Sequence, residues 1–244
     1  MWEAFAEEVI RQIREVAASQ GEKIKEAAAL VAGSIESDGI VHTFGSGHSA
    51  LVAQEIFCRA GGIVGVNAIL DPSFLLSGGA LRSTNMERLP GAASMSLAGH
   101  QIRSGDVAIV ISNSGKNQAP VEMALRMKEL GAGLIVVTSM KHTMSTKPSH
   151  TSGKRLFEIA DVVLDSRAPA GDASVAVDGV KVPMGPTSTI IGSLLVHSVI
   201  IEAAHILAGR GRPPAVFVSV NVEQANLDEL AREFIKYRGR IRHF

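Results

Sequence analysis

The sequence predicts a three-layer α/β/α sandwich, built on a doubly wound parallel sheet of about five strands and preceded by a long N-terminal helix. Three observations carry this. Apolar, β-branched runs alternate along the chain with helical patterns. The runs are short and do not alternate with polar residues, as expected of strands covered on both faces. The chain has 244 residues, of which 46% are hydrophobic and 20% charged, with a mean hydropathy of +0.21. That is enough chain and enough apolar surface to bury a substantial core.

The elements follow in order. Phe5, Val9, Ile13, Val16, Ile24, Ala28 and Val31 recur at helical spacing, so residues 3–33 read as one long helix with Gly21 its weak point. Strands are expected at 40–44 (IVHTF), 64–70 (VGVNAIL), 107–112 (VAIVIS), 134–139 (LIVVTS) and 161–166 (DVVLDS). Helical patterns fall at 48–60, 118–130 and 188–208, with a short one near 155–160. Residues 71–100 are rich in Gly, Ser and Pro and read as a loop with a short helix near 92–99; residues 141–153 read as a polar loop. Within 173–183, an Asp-Gly pair flanked by β-branched residues predicts a small hairpin appended to the sheet. The expected organisation is an N-terminal helical segment (1–34), one ligand-binding domain (35–225) and a C-terminal helical tail (226–244).

Composition narrows the function. Lys+Arg and Asp+Glu both number 24, so no global field attracts nucleic acid or an anionic membrane, and neither is expected as a partner. One Trp and one Tyr leave few platforms for stacking bases. The single cysteine, Cys58, cannot pair within the chain; its apolar helical context predicts a buried small hydrophobe, and a cytoplasmic setting suits it. The first residues, alternately acidic and basic, are not expected to form an export signal. Residues 189–209 are long and apolar enough to span a bilayer, but His197, Glu202 and His205 interrupt them and no basic flank precedes them. A core helix is expected there. The eight histidines lack tight ligand spacing, so neither a metal nor another cofactor is expected.

The chemistry should lie in the loops that follow the strands, because open parallel sheets bind ligands at their carboxyl edge. After the first strand comes Gly45-Ser46-Gly47-His48-Ser49-Ala50, which fits the dinucleotide pattern G-x-G-x-x-G/A. Asp71 stands about where such a site places its ribose acid. A second loop competes with that reading. Ser112-Asn113-Ser114-Gly115 joins a strand to a helix and offers hydroxyls, an amide and backbone N–H groups at the positive end of a helix dipole, which suits a phosphate. The same residues also serve as plain helix caps. Thr187, Ser188 and Thr189 open a further helix, and Ser46 and Ser49 lie in the first loop. With the anion site in a different loop, the first loop is expected to face a sugar, and Asp71, followed by Pro72, to end a strand.

GSGHSA with its helix, and DVAIVISNSGKNQAPVEMALRMKELGAGLIVVTS after it, resemble the sugar isomerase (SIS) domain family, whose fold is flavodoxin-like. GPTSTIIGSLLVHSVIIEAA resembles the family's Ser/Thr-rich entry to its last helix. PPAVFVSVNVEQAN is similar to the tail of the N-acetylmuramic acid 6-phosphate etherases. The likeness spans roughly residues 25–225 and is greatest to single-domain phosphosugar or phosphoheptose isomerase-like proteins. It implies that Ser112, Asn113, Ser114, Gly115 and Asn117 bind phosphate, that Ser188 and Thr189 complete that pocket, and that Gly45, Ser46 and Gly47 approach the sugar. His197 lies where phosphoheptose isomerases place a catalytic histidine. Several relatives carry a catalytic Glu at about the place of Arg59, and the nearest acid here is Glu55, one turn earlier. Relatives of the arabinose type have Lys and Glu at the places of His48 and Lys116.

The expected reaction is aldose–ketose isomerisation of a sugar phosphate by proton transfer through an enediol(ate), with His197, Glu55 and His48 as the acid–base residues. Lys116, Glu87, His142 and His150 are lesser candidates. The alternatives are a phosphosugar sensor without turnover and a lyase of the etherase type. Family members pair through their helices, so a homodimer or homotetramer is expected, and the basic end of the chain could steer an anionic substrate.

Overall fold

The computed structural model describes residues 1–219, 221 and 227–243. Helices α1 (Trp2–Ser19) and α2 (Gly21–Glu36) lead into β1 (Val41–Gly45) and α3 (Ser49–Glu55). Next come β2 (Val66–Ala68), α4 (Ala80–Arg88), α5 (Ala92–Ser96), β3 (Val107–Ile111) and α6 (Gln118–Glu129). They are followed by β4 (Gly133–Thr138), α7 (Met140–Met144), β5 (Val162–Asp165), α8 (Ser188–Gly209) and α9 (Leu227–Tyr237). The five strands form one sheet in the order β2-β1-β3-β4-β5, every pair parallel. The expected sandwich is therefore the observed one, and the order reverses between β1 and β3.

The sheet is covered on both faces, and β3 shows how the sequence arranges this. Val107, Ile109 and Ile111 point to one core and Ala108 and Val110 to the other, following the two-residue period of a strand. The first core packs the sheet against α2, α3 and α8, with Val16 of α1 reaching in. Ala27, Ala28 and Ala32 give α2 a narrow face, so α8 lies close along it. The second core packs the sheet against α5 and α6 through Ala93, Val121, Met123, Ala124 and Met127. A smaller cluster of Ile40, Val64, Phe217, Leu230, Tyr237 and Ile241 fastens the end of the chain to the amino edge of the sheet.

The weak point at Gly21 is a full break between α1 and α2. Gln20 caps α1 by donating its N–H to Val16 O at 2.8 Å, and its buried side-chain Oε1 accepts the N–H of Asp165 at 2.9 Å. The apolar run at 188–208 forms α8, which buries Ile191, Leu195, Val196, Val199 and Leu207 as one layer of the sandwich.

Four local expectations are corrected. The helix expected over 48–60 stops at Glu55; Cys58 then adopts φ +44° in a turn, which leaves its thiol exposed rather than buried. The hairpin at 173–183 does not form a ladder. Val175 and Met184 make one antiparallel bridge, and of the Asp178-Gly179 pair only Gly179 is left-handed, so the turn is not the doubly left-handed type whose twist suits strands. The loop 71–100 contains α4 as well as α5. The loop 141–153 begins with α7, capped by Ser139 Oγ, which accepts from His142 N–H. The boundary expected at 225–226, and the end of the etherase-like tail at 220 and 222–226, lie outside the described residues.

Candidate functional site

At the carboxyl edge of the sheet, beside the reversal of strand order, a narrow cleft of about 10 Å³ is lined by Ser49, Asn113, Thr138, Ser166, Ser188 and Thr189 over a floor of Val52, Ile111 and Val137. Ser49 opens α3 and Ser188 opens α8, so hydroxyls and the positive ends of two helices face the same space.

The Ser112–Asn117 turn forms one wall. Ser112 is buried and its Oγ accepts the N–H of Gly115 at 3.2 Å, which closes the turn on itself. Gly115 sits at φ +57°, and a Cβ there would lie 2.9 Å from Thr138 Oγ1, so the turn is built for glycine. Asn113 shares its side-chain amide with His142 Nδ1 at 3.3 Å, and its carbonyl accepts the N–H of Ser139 at 3.1 Å. The Ser114 hydroxyl has no hydrogen-bond partner among the described residues, and Asn117, buried at the start of α6, caps it with no side-chain bond.

The segment expected to be a polar loop wraps this turn. Ser149 N–H donates to Lys116 O at 3.0 Å, and Leu156 N–H to Gly115 O at 2.8 Å. His142 lies against Asn113; burial holds its pKa below the ordinary value, Asp172 opposing and Lys116 reinforcing that direction. His150 turns outward to Ser152 Oγ at 2.8 Å, and Glu87 stands on α4, outside the cleft lining.

The amino end of α8 already holds an anion. Asp172 Oδ1 accepts the N–H groups of Thr187 and Ser188 at 3.1 and 3.0 Å, and its Oδ2 accepts the Ser188 hydroxyl. Asp172 itself adopts φ +54°. Ser188 is thus committed to Asp172, whereas Thr189 lines the cleft without such a tie.

The first loop is tighter than its glycines alone suggest. A Cβ on Gly45 would fall 2.4 Å from Ser49 O, so Gly45 lets α3 start close over the sheet. Gly47 N–H is spent on Phe74 O at 2.9 Å, and Ser46 is buried. His48 is exposed at the amino end of α3. Asp71 accepts from Ser73 N–H and Ser96 Oγ at 2.8 and 2.6 Å, as a turn residue just beyond β2.

Away from the cleft, α3 and α8 run side by side, with Gly192 against Val52 at a separation that leaves little room for a side chain. The next residues on this seam are Glu55 and His197, whose Oε1 and Nε2 are 3.2 Å apart. A carboxylate only accepts, so Nε2 carries the imidazole proton and Nδ1 is left as the free base. Burial, and secondarily Arg59, holds the His197 pKa below its ordinary value, so the ring is neutral at neutral pH. Arg59 also donates to Glu55. Among the described residues no group of three or more His, Cys, Asp or Glu gathers as a metal site would require.

Sequence reasoning singled out Asn113, Ser188 and Thr189, which do line the cleft, and Glu55 and His197, which do meet. It missed Thr138, Ser166 and Asp172. Thr138 and Ser166 had a signal, since each stands at the end of its strand; Asp172, within an irregular excursion, had none.

The chain belongs to the SIS domain family: the family's SIS domain model matches residues 4–139. Among curated proteins, the chain is 42% identical over 229 residues to a UPF0309 protein of Halalkalibacterium halodurans, covering 93% of this chain and 95% of the relative. It is 40% identical to a UPF0309 protein of Listeria innocua, covering 95% and 94%. Among solved structures, phosphoheptose isomerase from Neisseria gonorrhoeae superposes with a TM-score of 0.56 at 21% identity, covering 82% of this chain and 95% of that one. The Vibrio vulnificus NanR protein complexed with ManNAc-6P superposes with a TM-score of 0.51 at 14% identity, covering 86% and 62%.

Proposed function

We propose that the protein binds a phosphorylated sugar and isomerises it between aldose and ketose. The observation that carries this reading is the α3–α8 seam, which leads from the hydroxyl-lined cleft to the Glu55–His197 pair. At 1.5 Å per residue, Glu55 lies about 9 Å beyond Ser49 and His197 about 12 Å beyond Thr189. The phosphate rests on the Ser112–Asn117 turn, with Ser114 and Thr189 donating hydroxyls, and the sugar chain extends along the seam.

In this reading His197 Nδ1 removes the proton from the carbon beside the carbonyl, Glu55 stabilises the resulting imidazolium, and the same nitrogen returns the proton to the neighbouring carbon. The intervening enediol(ate) exchanges its hydroxyl proton between the two oxygens; His48, at the far end of α3 from Glu55, stands at the phosphate end of the seam instead. The pair is partly open: His197 and Glu55 side chains are 32% and 37% exposed. Proton transfer gains from excluding water. Leu51, Ile190 and Ile201 form exposed apolar points on the same two helices, so a second copy of the chain, in a homodimer or homotetramer, is proposed to close the site.

A sensor without turnover remains the second reading because of one contact. Arg59 donates to Glu55, and a guanidinium there weakens the carboxylate's pull on the His197 proton.

A thermal-shift screen with phosphorylated hexoses, heptoses and amino sugars tests binding. A matching sugar at a hundredfold its dissociation constant stabilises the fold by about 2.7 kcal/mol, and NAD and NADP do not. A shift with NAD alone overturns the reading. For any sugar that binds, solvent exchange of the proton at C2, followed by NMR, distinguishes an isomerase, which exchanges it, from a sensor, which does not.

A further inference from the structure

A second groove, of about 500 Å³, lies beside β2 at the edge of the sheet and shares no lining residue with the cleft. Its volume falls within the range of small-molecule sites. Its polar lining is Asp71, Ser96, His100, Arg242 and His243.

The hydrogen bonds behind it fix which atoms donate. Arg242 N–H donates to Asn67 Oδ1 at 3.2 Å, so the Asn67 NH2 group faces the two imidazoles beyond it. It lies 3.0 Å from His42 Nδ1 and 3.2 Å from His100 Nδ1. Both Nδ1 atoms therefore accept, and each neutral ring carries its proton on Nε2. His42 gives that proton to the buried Asp106 carboxylate at 3.1 Å. His100 has no corresponding acceptor among the described residues, so its Nε2–H is an unspent donor. Burial and the nearby Arg242 push the His100 pKa down to about 4, so it donates as a neutral group at neutral pH.

The chain end that completes the groove is clamped in register. Arg240 Nη2 reaches both oxygens of Asp106 at 2.9 and 2.8 Å, and the N–H groups of Ile40 and Arg103 hold the same carboxylate. Two residues on, Arg242 spends Nη1 on Ala98 O at 3.0 Å and keeps its remaining donors, and the His243 ring lies 6.4 Å from that of His100. Across the groove, Asp71 accepts one bond on each oxygen and retains lone pairs for further donors.

We propose that this groove is a second ligand site, which takes the phosphate or carboxylate group of a small polyhydroxylated molecule against Arg242, His100 and His243 and its hydroxyls against Asp71. The site is independent of the cleft and of whatever reaction the cleft performs.

The test is NMR of the full chain carrying labelled histidine, titrated with inorganic phosphate, sorbitol 6-phosphate and gluconate. His100 and His243 report on the groove, His142 and His197 on the cleft. The expected result is saturable movement of the His100 and His243 signals with at least one probe. Sorbitol 6-phosphate against gluconate distinguishes a phosphate from a carboxylate ligand. Arg242→Gln, a change at an exposed side chain, should weaken that response at least tenfold, and Arg242→Lys less. Silence of both groove histidines with all three probes, or an unchanged response in Arg242→Gln, overturns the proposal. Movement of His142 and His197 alone overturns it too, while leaving the cleft reading intact.

Discussion

Glu55 Oε1 and His197 Nε2, 142 positions apart in the chain, meet at 3.2 Å on the seam between α3 and α8. Both helices start at the cleft, and their packing through Val52 and Gly192 brings the two residues together. If the pair transfers protons, His197→Gln lowers kcat about 10²- to 10⁴-fold and leaves phosphosugar affinity within a few-fold. C2 proton exchange and calorimetric titration measure the two effects separately. Persistence of exchange in His197→Gln assigns the histidine a packing role instead.

Ser114 offers a hydroxyl that no other described residue uses. Ser114→Ala is expected to weaken phosphosugar binding by about 1 kcal/mol, several-fold in affinity, with no change in melting temperature of the free protein. Titration calorimetry beside a thermal melt checks both halves; equal affinities would move the phosphate away from this turn.

Gly115 is the turn's structural constraint. Gly115→Ala forces a Cβ into the left-handed region and to within 2.9 Å of Thr138 Oγ1. The cost is about 1–3 kcal/mol, read by urea unfolding, together with loss of the ligand-induced thermal shift. A variant as stable as the parent would show that the turn has another conformation available.

Asp172 occupies the helix end that a ligand anion would otherwise share. Asp172→Ala removes the acceptor for the Thr187 and Ser188 amides and costs about 0.5–2 kcal/mol. It also frees those amides, so inorganic phosphate should bind several-fold more tightly, as measured by calorimetry. Unchanged phosphate affinity would place the α8 terminus outside the anion's reach.

Acid stability should fall in two stages. His100 has a folded pKa of about 4 against an ordinary 6.5, so between those values the unfolded chain binds the proton first and stability drops as pH falls. Asp106, held at about 2 against 3.8 by the hydrogen bonds of His42, Arg103, Arg240 and Ile40 against the opposing effect of burial, adds a second loss between 3.8 and 2. His100→Gln should shrink the first stage, to which His142, His150, His197 and His243 also contribute because burial holds each below its ordinary value, and leave the second, as followed by urea unfolding at pH 7, 5 and 3. An unchanged slope between pH 6.5 and 4 would mean that another group carries the first stage.

The strands were legible because each is an unbroken apolar run, and Val107–Ile111 is buried along its whole length. Helix α4 was not, because among its residues only Ser83 is buried, so no apolar stripe marks it within a Gly-, Ser- and Pro-rich stretch. The Asp178-Gly179 pair was over-read, since a local signal for a hairpin says nothing of whether partner strands are present to extend it. Cys58 was misplaced because the pattern of α3 continues past the point where its backbone turns. For the site, loops at strand ends could be found from position alone. The meeting of Glu55 with His197 depends on Val52 packing against Gly192, a contact between segments that no single stretch of sequence records.

The cleft draws its walls from Ser49, Asn113, Thr138, Ser166 and Thr189, so it spans most of the order in which the chain is synthesised. A growing chain can pair β1, β2, β3, β4 and β5 in turn, yet the cleft lacks its last wall until α8 has emerged and docked. Ligand affinity is therefore a property of the finished domain alone. Partly folded states with α8 detached gain nothing from ligand, and a saturating ligand should widen the gap between them and the native state, slowing hydrogen exchange most along α8.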